Sequence, residues 1–217
     1  MASSFYYDST LEQMVTNNKF NSSFSDQLRR LARNDSALTT LDLSYNRIGD
    51  TEAIATSQAL SFNSTLTELN LSRNQIGDTG AASISQALSS NSSLIILDLS
   101  FNQIGSTGAA FIAQVLTSNS TLTALDLSEN IIEDTGAASI RQALASNSIL
   151  TELNLDDNRF TMKSYSSIGK CLVKNQHNKK MRAKTLQQLC CSSLASVDHD
   201  ILKIEFPSFY ALYFSAS

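Results

Sequence analysis

LTELNLSRNQIGD, residues 66–78, is a phrase that this chain repeats. It returns as LTTLDLSYNRIGD from Leu38, LIILDLSFNQIGS from Leu94, LTALDLSENIIED from Leu122 and LTELNLDDNRFTM from Leu150, each copy starting 28 residues after the last. A fixed period of this order marks a solenoid of stacked units. Inside one copy, Leu69 and Leu71 alternate with Asn70 and Ser72, and period-two alternation predicts a short strand with its leucines pointing inward. The stretch GDTGAASISQALSSN follows, with Ala81, Ile84, Ala87 and Leu88 at helical spacing. It predicts an amphipathic helix, with Asp78 placed to cap its first turn.

Every repeat runs strand then helix in the same sense, so successive strands become parallel neighbours and the helices form a second row behind them. Neither element buries its apolar face alone, which makes each repeat depend on the next. Strands stack at about 4.8 Å, whereas packed helix axes need about 8–10 Å. A stack built this way bends, with its strands on a concave inner wall suited to gripping another macromolecule.

The period, the pattern LxxLxLxxNxIGDxGAxxIxxAL and the trailing Asn-Ser-Thr resemble the ribonuclease-inhibitor subtype of leucine-rich repeat, as in NOD-like receptors and in the Ran GTPase-activating protein. They are also similar to repeat proteins that intracellular bacteria inject into host cells. The resemblance covers about residues 38–175. It implies a right-handed α/β horseshoe of five repeats with helical caps at both ends: residues 1–37 as the N-terminal cap, 38–175 as repeats, and 176–217 as a C-terminal helix and tail. The recurring Asn46, Asn74, Asn102, Asn130 and Asn158 resemble the family's buried asparagine ladder, whose amides satisfy loop backbone groups.

Composition sets the bounds. With 217 residues and 42% apolar side chains, the chain has the material for one continuous body. No basic segment followed by an apolar run opens the sequence, and no stretch approaches the roughly 20 apolar residues of a membrane span. The expectation is a cytoplasmic protein or, for a bacterial effector, one exported without a signal peptide of the usual kind into the host cytosol. Three cysteines, two of them adjacent at Cys190 and Cys191, do not make a disulfide framework. The triplets beginning at Asn63, Asn91 and Asn119 match a glycosylation pattern but read better as helix exits, where Asn accepts a left-handed backbone.

Net charge is −4, and it is unevenly spread: residues 38–158 carry 13 acidic and 3 basic side chains, residues 159–184 carry 8 basic and no acidic ones. At the N-terminal end, Phe20, Phe24, Leu28 and Leu31 follow helical spacing, with Ser23 or Ser25 as the cap, and predict a helix that covers the first repeat. Leu11, Met14 and Val15 add a further turn or short helix before it. That first repeat has Glu52 and Thr56 where later copies have Gly80 and Ile84. The fifth keeps Ile168, Cys171, Leu172 and Asn175 in register and replaces the glycines with Thr161 and Ser164, which makes Cys171 a core residue. Beyond Asn175, Met181, Leu186, Leu189, Cys190, Leu194 and Val197 predict one more amphipathic helix, followed by an aromatic-rich tail broken at Pro207.

A search for chemistry returns little. Both histidines, His177 and His199, lie outside the repeats, and nucleophile-elbow, zinc-protease and phosphate-loop motifs are missing. His177, Cys190, Cys191 and His199 lack the spacing that brings two thiolates to one zinc ion. The sequence therefore predicts no enzyme, no metal and no cofactor. On the inner wall, Asp42, Asn70, Asp98, Asp126 and Asn154 form one outward column, and Ser44, Ser72, Ser100, Ser128 and Asp156 the next. Their constancy reads as repeat grammar.

Positions that vary on this constant scaffold are the candidate binding residues. The column before the first inner leucine reads Thr40, Glu68, Ile96, Ala124, Glu152, and the column before the asparagine reads Tyr45, Arg73, Phe101, Glu129, Asp157. Tyr45, Glu68, Arg73, Ile96, Phe101, Glu129, Glu152 and Asp157 are the candidate partner-binding set, because aromatics and arginine most often anchor interfaces. The basic run from Lys174 to Lys184 falls at the start of the expected last helix, where the backbone dipole disfavours cations. It lacks the aromatics that stack nucleic-acid bases, and Lys179, Lys180, Arg182 and Lys184 suit peripheral contact with anionic lipid. The reading is a non-enzymatic module that binds a protein through its concave face. A bacterial effector and a free-standing eukaryotic protein are both compatible with it. The alternatives are a small-GTPase regulator, for which no residue maps, and lipid docking through residues 174–184.

Overall fold

The computed structural model describes residue 20 and residues 22–194, with side chains described as far as Lys180. The chain divides into two compact units, the first ending at Gln176 and the second beginning at His177. In the first, helix α1 (Ser22–Ala32) precedes five strand–helix repeats: β1 (Thr40–Asp42) and α2 (Asp50–Phe62), β2 (Glu68–Asn70) and α3 (Asp78–Leu88), β3 (Ile96–Asp98) and α4 (Ser106–Leu116), β4 (Ala124–Asp126) and α5 (Asp134–Ser146), then β5 (Glu152–Asn154) and the start of α6 (Met162–Leu194). The described part of the second unit is the continuation of that last helix. The separate helix expected after Asn175 is thus part of a longer one, since nothing between Met162 and Leu194 breaks a helix: no proline occurs there.

The five strands form one parallel sheet in sequence order. Register follows the period, with Leu41, Leu69, Leu97, Leu125 and Leu153 paired in one row. The first four of these are buried, whereas Leu153, on the last strand, is only partly covered. Helix faces follow the same rule: Ala81, Ile84, Ala87 and Leu88 of α3 are buried, and Ala109, Ile112, Val115 and Leu116 repeat them in α4. The core is one apolar layer between strands and helices, each residue stacked on its counterpart one repeat away. At the N-terminal end, Phe24, Leu28 and Leu31 of α1 are buried, and Phe20 meets Phe24 edge to face at 5.2 Å. Helix α1 begins at Ser22, so Ser23 and Ser25 lie inside it and neither is its cap. Residues 1–19 and 195–217, with the turn expected around Leu11 and the aromatic tail, lie outside the described residues.

Polar side chains join the repeats. Asn74 receives backbone N–H bonds from Asn46 and Ile48 of the preceding repeat and donates to the carbonyls of Leu43, Leu71 and Ser72. Asn102 and Asn130 repeat the pattern. This is the asparagine ladder that the sequence resembles, buried at Asn74, Asn102 and Asn130; at its ends Asn158 is half-buried, and Asn46, with no repeat before it, is exposed and donates to the Ser44 carbonyl of its own turn.

A second ladder corrects the reading of the helix exits. Asn63 and Asn147 do not take the left-handed backbone; their φ values are −81° and −71°, both extended. Their amides do the work instead. Asn91 accepts from the backbone N–H groups of Ser93 and Leu94 and donates to the carbonyls of Leu60 and Asn63, one repeat back. Asn63 reaches Leu31 of α1 in the same way, at 2.9 Å, so α1 occupies the place of a preceding repeat.

Asp78 also departs from its expected role. It is the first residue of α3, whose cap is Gly77, and its carboxylate points forward. One oxygen accepts from Gly105 and Gly108 at 2.7 and 2.9 Å, capping the helix of the next repeat. Asp50 does the same for Gly77 and Gly80, and Asp134 accepts from Thr161 N–H, the Thr161 hydroxyl and Ser164. This explains the irregular first repeat. With no repeat before it, Gly49 is capped by its own Glu52 at 2.9 Å, which the second and third repeats replace with Gly80 and Gly108 to admit the incoming carboxylate.

Candidate functional site

The chain leaves each strand through a turn whose geometry is fixed by these ladders. Tyr45, Arg73, Phe101, Glu129 and Asp157 all have positive φ, between 52° and 57°. An L-residue in this left-handed region costs about 1–2 kcal/mol, and Gly or Asn is the usual occupant. The backbone there is tied down: Tyr45, Arg73, Phe101 and Glu129 donate their N–H groups to carbonyls of the next repeat at 2.9–3.2 Å. The following asparagine is held in the first ladder, buried in the middle repeats at Asn74, Asn102 and Asn130, so the residue before it projects outward.

In the first three repeats this column closes into a stack. The Arg73 guanidinium carbon lies 5.1 Å from the Tyr45 ring centroid and 3.9 Å from that of Phe101. Tyr45 is 70% exposed and Phe101 37%; such cation–π contacts contribute about 0.5–1 kcal/mol each at exposed sites. Glu129 and Asp157, both exposed, continue the column as carboxylates. The other predicted column lies on the sheet itself, where register places Thr40, Glu68, Ile96, Ala124 and Glu152 side by side. Glu68, Ile96 and Glu152 are exposed. A depression of about 470 Å³ is lined by Ile96, Ala124, Glu152, Asp98, Asp126 and Leu172, among others. Exposed apolar and acidic groups therefore share this face.

The aspartates beside that column are occupied structurally. Asp98 accepts from the Ser100 N–H and hydroxyl at 2.9 and 2.7 Å, and Asp126 does the same with Ser128 while also accepting from Asn154. Ser72, Ser100 and Ser128, expected to face outward, are buried. Their carbonyls receive the N–H groups of Tyr45, Arg73 and Phe101, which folds them under the turn. Among the described residues no group of three His, Cys, Asp or Glu side chains is placed to hold a metal. Cys171 is a free thiol partly packed on the core; Cys190, Cys191 and His199 belong to the undescribed side chains. No described helix is long and apolar enough to cross a membrane.

Resolved pKa shifts follow structural hydrogen bonds. Bonds from Ser164 and Thr161 hold the Asp134 carboxyl below its ordinary value. Arg30 does this for Asp35, helped by the Ala37 N–H. The Tyr165 phenol, donating to Asp156 at 2.8 Å, is pushed up by that bond. The basic run is placed differently from expectation: Lys174, Lys179 and Lys180 lie in the middle of α6, clear of its N-terminus, so the dipole does not oppose them. All three are exposed.

Comparison with known proteins agrees with this architecture. Leucine-rich repeat models match residues 36–55, 62–85, 90–113 and 118–140, and a further one matches residues 150–171. The chain belongs to the leucine-rich repeat family. Among solved structures, it is similar to leiomodin-1 actin-binding site 2, with a TM-score of 0.72 at 23% identity over 79% of this chain and 99% of that one. It is also similar to the tropomodulin C-terminal domain from Caenorhabditis elegans, with a TM-score of 0.66 at 13% identity over 76% of this chain and 99% of that one. No curated protein sequence matches it. At these identities the structural likeness establishes the fold.

Proposed function

We propose that the chain is a non-catalytic interaction module that engages a protein partner through its strand face and the ridge formed by Tyr45, Arg73 and Phe101. One observation carries this: two aromatic rings and a guanidinium stand exposed on three successive repeats, at backbone positions where glycine or asparagine relieves strain. Large side chains retained against that cost, of the types enriched at interfaces, support a contact surface. The fold likeness to leiomodin and tropomodulin supports a macromolecular partner, and the leiomodin structure is that of an actin-binding site, so actin is the first candidate. The test compares the full chain with an Arg73→Gly, Phe101→Asn double variant in actin co-sedimentation and in affinity purification read by mass spectrometry. Both replacements suit the left-handed backbone, so the fold is preserved. Loss of the retained partner supports the reading, and equal recovery by both proteins refutes it.

A second reading, docking on anionic lipid through α6, draws support from the exposed Lys174, Lys179 and Lys180 within a stretch that has no acidic residue. Co-sedimentation with phosphatidylserine vesicles that survives neutralisation of Lys179, Lys180, Arg182 and Lys184 eliminates it.

A further inference from the structure

We propose that Arg73 is the receptor for a single carboxylate of the partner protein, an Asp or Glu side chain with Lys or Arg to one side of it on that partner; this rests on the interaction reading above. The guanidinium is held between two rings, and among the described residues no carboxylate, carbonyl or hydroxyl accepts a hydrogen bond from it. Elsewhere in the same unit Arg29 bonds Asp26 at 3.2 Å and Arg30 bonds Asp35 at 2.8 Å; among the described residues Arg33, Arg47, Arg141 and Arg159 are, like Arg73, without such a bond, and the two rings are what set Arg73 apart from these. Arg73 therefore presents a planar fork of N–H donors whose side-chain freedom the rings have already reduced. Such a fork matches a carboxylate in two parallel bonds.

The surroundings decide which anion fits. Glu68, Glu129, Glu152 and Asp157 are exposed on the same face, and residues 38–158 hold 13 acidic against 3 basic side chains. An extended polyanion, such as a nucleic acid or an acidic run, brings many charges against these carboxylates and is repelled. A lone carboxylate reaching Arg73 avoids this, and basic neighbours on the partner then meet Glu129 and Asp157. Tyr45 and Phe101 hold the guanidinium in place and leave its N–H groups to the incoming carboxylate. The recognised epitope therefore runs, across the repeats, from an acidic residue at Arg73 to basic residues at Glu129 and Asp157.

The experiment is selection of a random peptide library on the full chain, followed by sorting of the winners on Arg73→Gln, Arg73→Lys and Phe101→Asn variants and resynthesis of the best peptide with Glu→Gln and Glu→phosphoserine. The expected winners carry one acidic residue with basic ones to one side of it, and lose about tenfold or more in affinity both on Arg73→Gln and on the Glu→Gln peptide, the size of a charged hydrogen bond. Arg73→Lys recovers only part, because an ammonium has no fork. Winners without an acid that still need Phe101 overturn the carboxylate assignment and leave the interaction surface standing. Winners indifferent to both Arg73 and Phe101, or no winners at all, overturn both. Tighter binding of the phosphoserine peptide reassigns Arg73 to phosphate and overturns the proposal.

Discussion

Gly108→Ala should destabilise this protein, although alanine is the better helix former. At an unencumbered position inside a helix the exchange contributes about 1 kcal/mol of stability. Here the new Cβ would lie 2.7 Å from the Asp78 carboxylate, 2.9 Å from Ile104 Cγ2 and 3.1 Å from Ala81 Cβ. Two of these neighbours belong to the preceding repeat, so the clash acts across the joint. Turning Asp78 aside breaks its bonds to Gly105 and Gly108, a cap whose loss costs about 0.5–2 kcal/mol. Pressing Ile104 and Ala81 apart costs about 1–3 kcal/mol more. Set against the propensity gain, the net loss is about 0.5–4 kcal/mol. Urea unfolding followed by far-ultraviolet circular dichroism measures it, with Gly169→Ala as control. Gly169 lies in helix α6, nothing stands within 4 Å of its added Cβ, and the same substitution there should stabilise by up to about 1 kcal/mol. A cycle with Asp78→Ala should show coupling of at least about 0.5 kcal/mol between positions 78 and 108. If Gly108→Ala proves as stable as the parent, or the cycle is additive, the cross-repeat cap is not what excludes a side chain there.

Other consequences follow from the same contacts. Leu97→Ala empties a fully buried position in the central strand and should cost about 2–5 kcal/mol by urea unfolding. Asn102→Ala removes the partner of one buried N–H and three carbonyls, and a loss of about 2–4 kcal/mol is expected; a value near zero would mean water replaces the amide. Arg73→Gly should leave the unfolding midpoint within about 1 kcal/mol of the parent, since glycine relieves the left-handed strain while adding entropy to the unfolded chain. The Asp134 carboxyl titrates lower when folded than when unfolded, so its contribution is present above the ordinary value of 3.8 and disappears as pH falls through the folded value. Asp134→Asn should therefore be less stable than the parent at neutral pH, with the gap closing in strong acid; a gap independent of pH contradicts the bonds to Thr161 and Ser164.

What the sequence revealed about the fold is what repeats at short range. Leu69 and Leu71 announce a strand and Ala81, Ile84 and Leu88 a helix without knowledge of any neighbour, and the constant spacing supplies the stacking. What it concealed lies between repeats. Asp78 reads as a cap for its own helix because capping rules are local, yet its partners Gly105 and Gly108 stand 27 and 30 residues away. The exit asparagines mislead for a similar reason. Their side chains, bonding to carbonyls one repeat back, allow an extended backbone where a lone helix end favours a left-handed one. The signal that was available is negative: Glu52 replaces the glycine in the first repeat, which has no repeat before it to supply a capping side chain. Of the candidate site, the column of Tyr45, Arg73 and Phe101 was readable as variation on a fixed scaffold. That the three side chains touch depends on the stacking distance between repeats, and that all five share a positive φ depends on the turn.

The two kinds of position bear on function together. Constant side chains, the asparagines and forward-pointing aspartates, hold each turn to the next through bonds to backbone, so the turn keeps its shape whichever residue precedes the asparagine. That independence is what lets Tyr45, Arg73, Phe101, Glu129 and Asp157 differ while their φ values agree within a few degrees. It also means that binding specificity here can change without loss of fold, because the strain at each turn is already present and a new side chain adds little to it. One joint tests the limit of this tolerance. Ser106 stands where Asp50, Asp78 and Asp134 stand in other repeats, and its hydroxyl reaches only the Glu133 N–H, at 3.1 Å. A carboxylate there would face Glu133, so serine keeps one bond and avoids like charge beside the next helix. The fourth repeat thus carries an extra acid, Glu133, at the expense of a weaker cap, on the same repeat that presents Glu129 to the proposed partner.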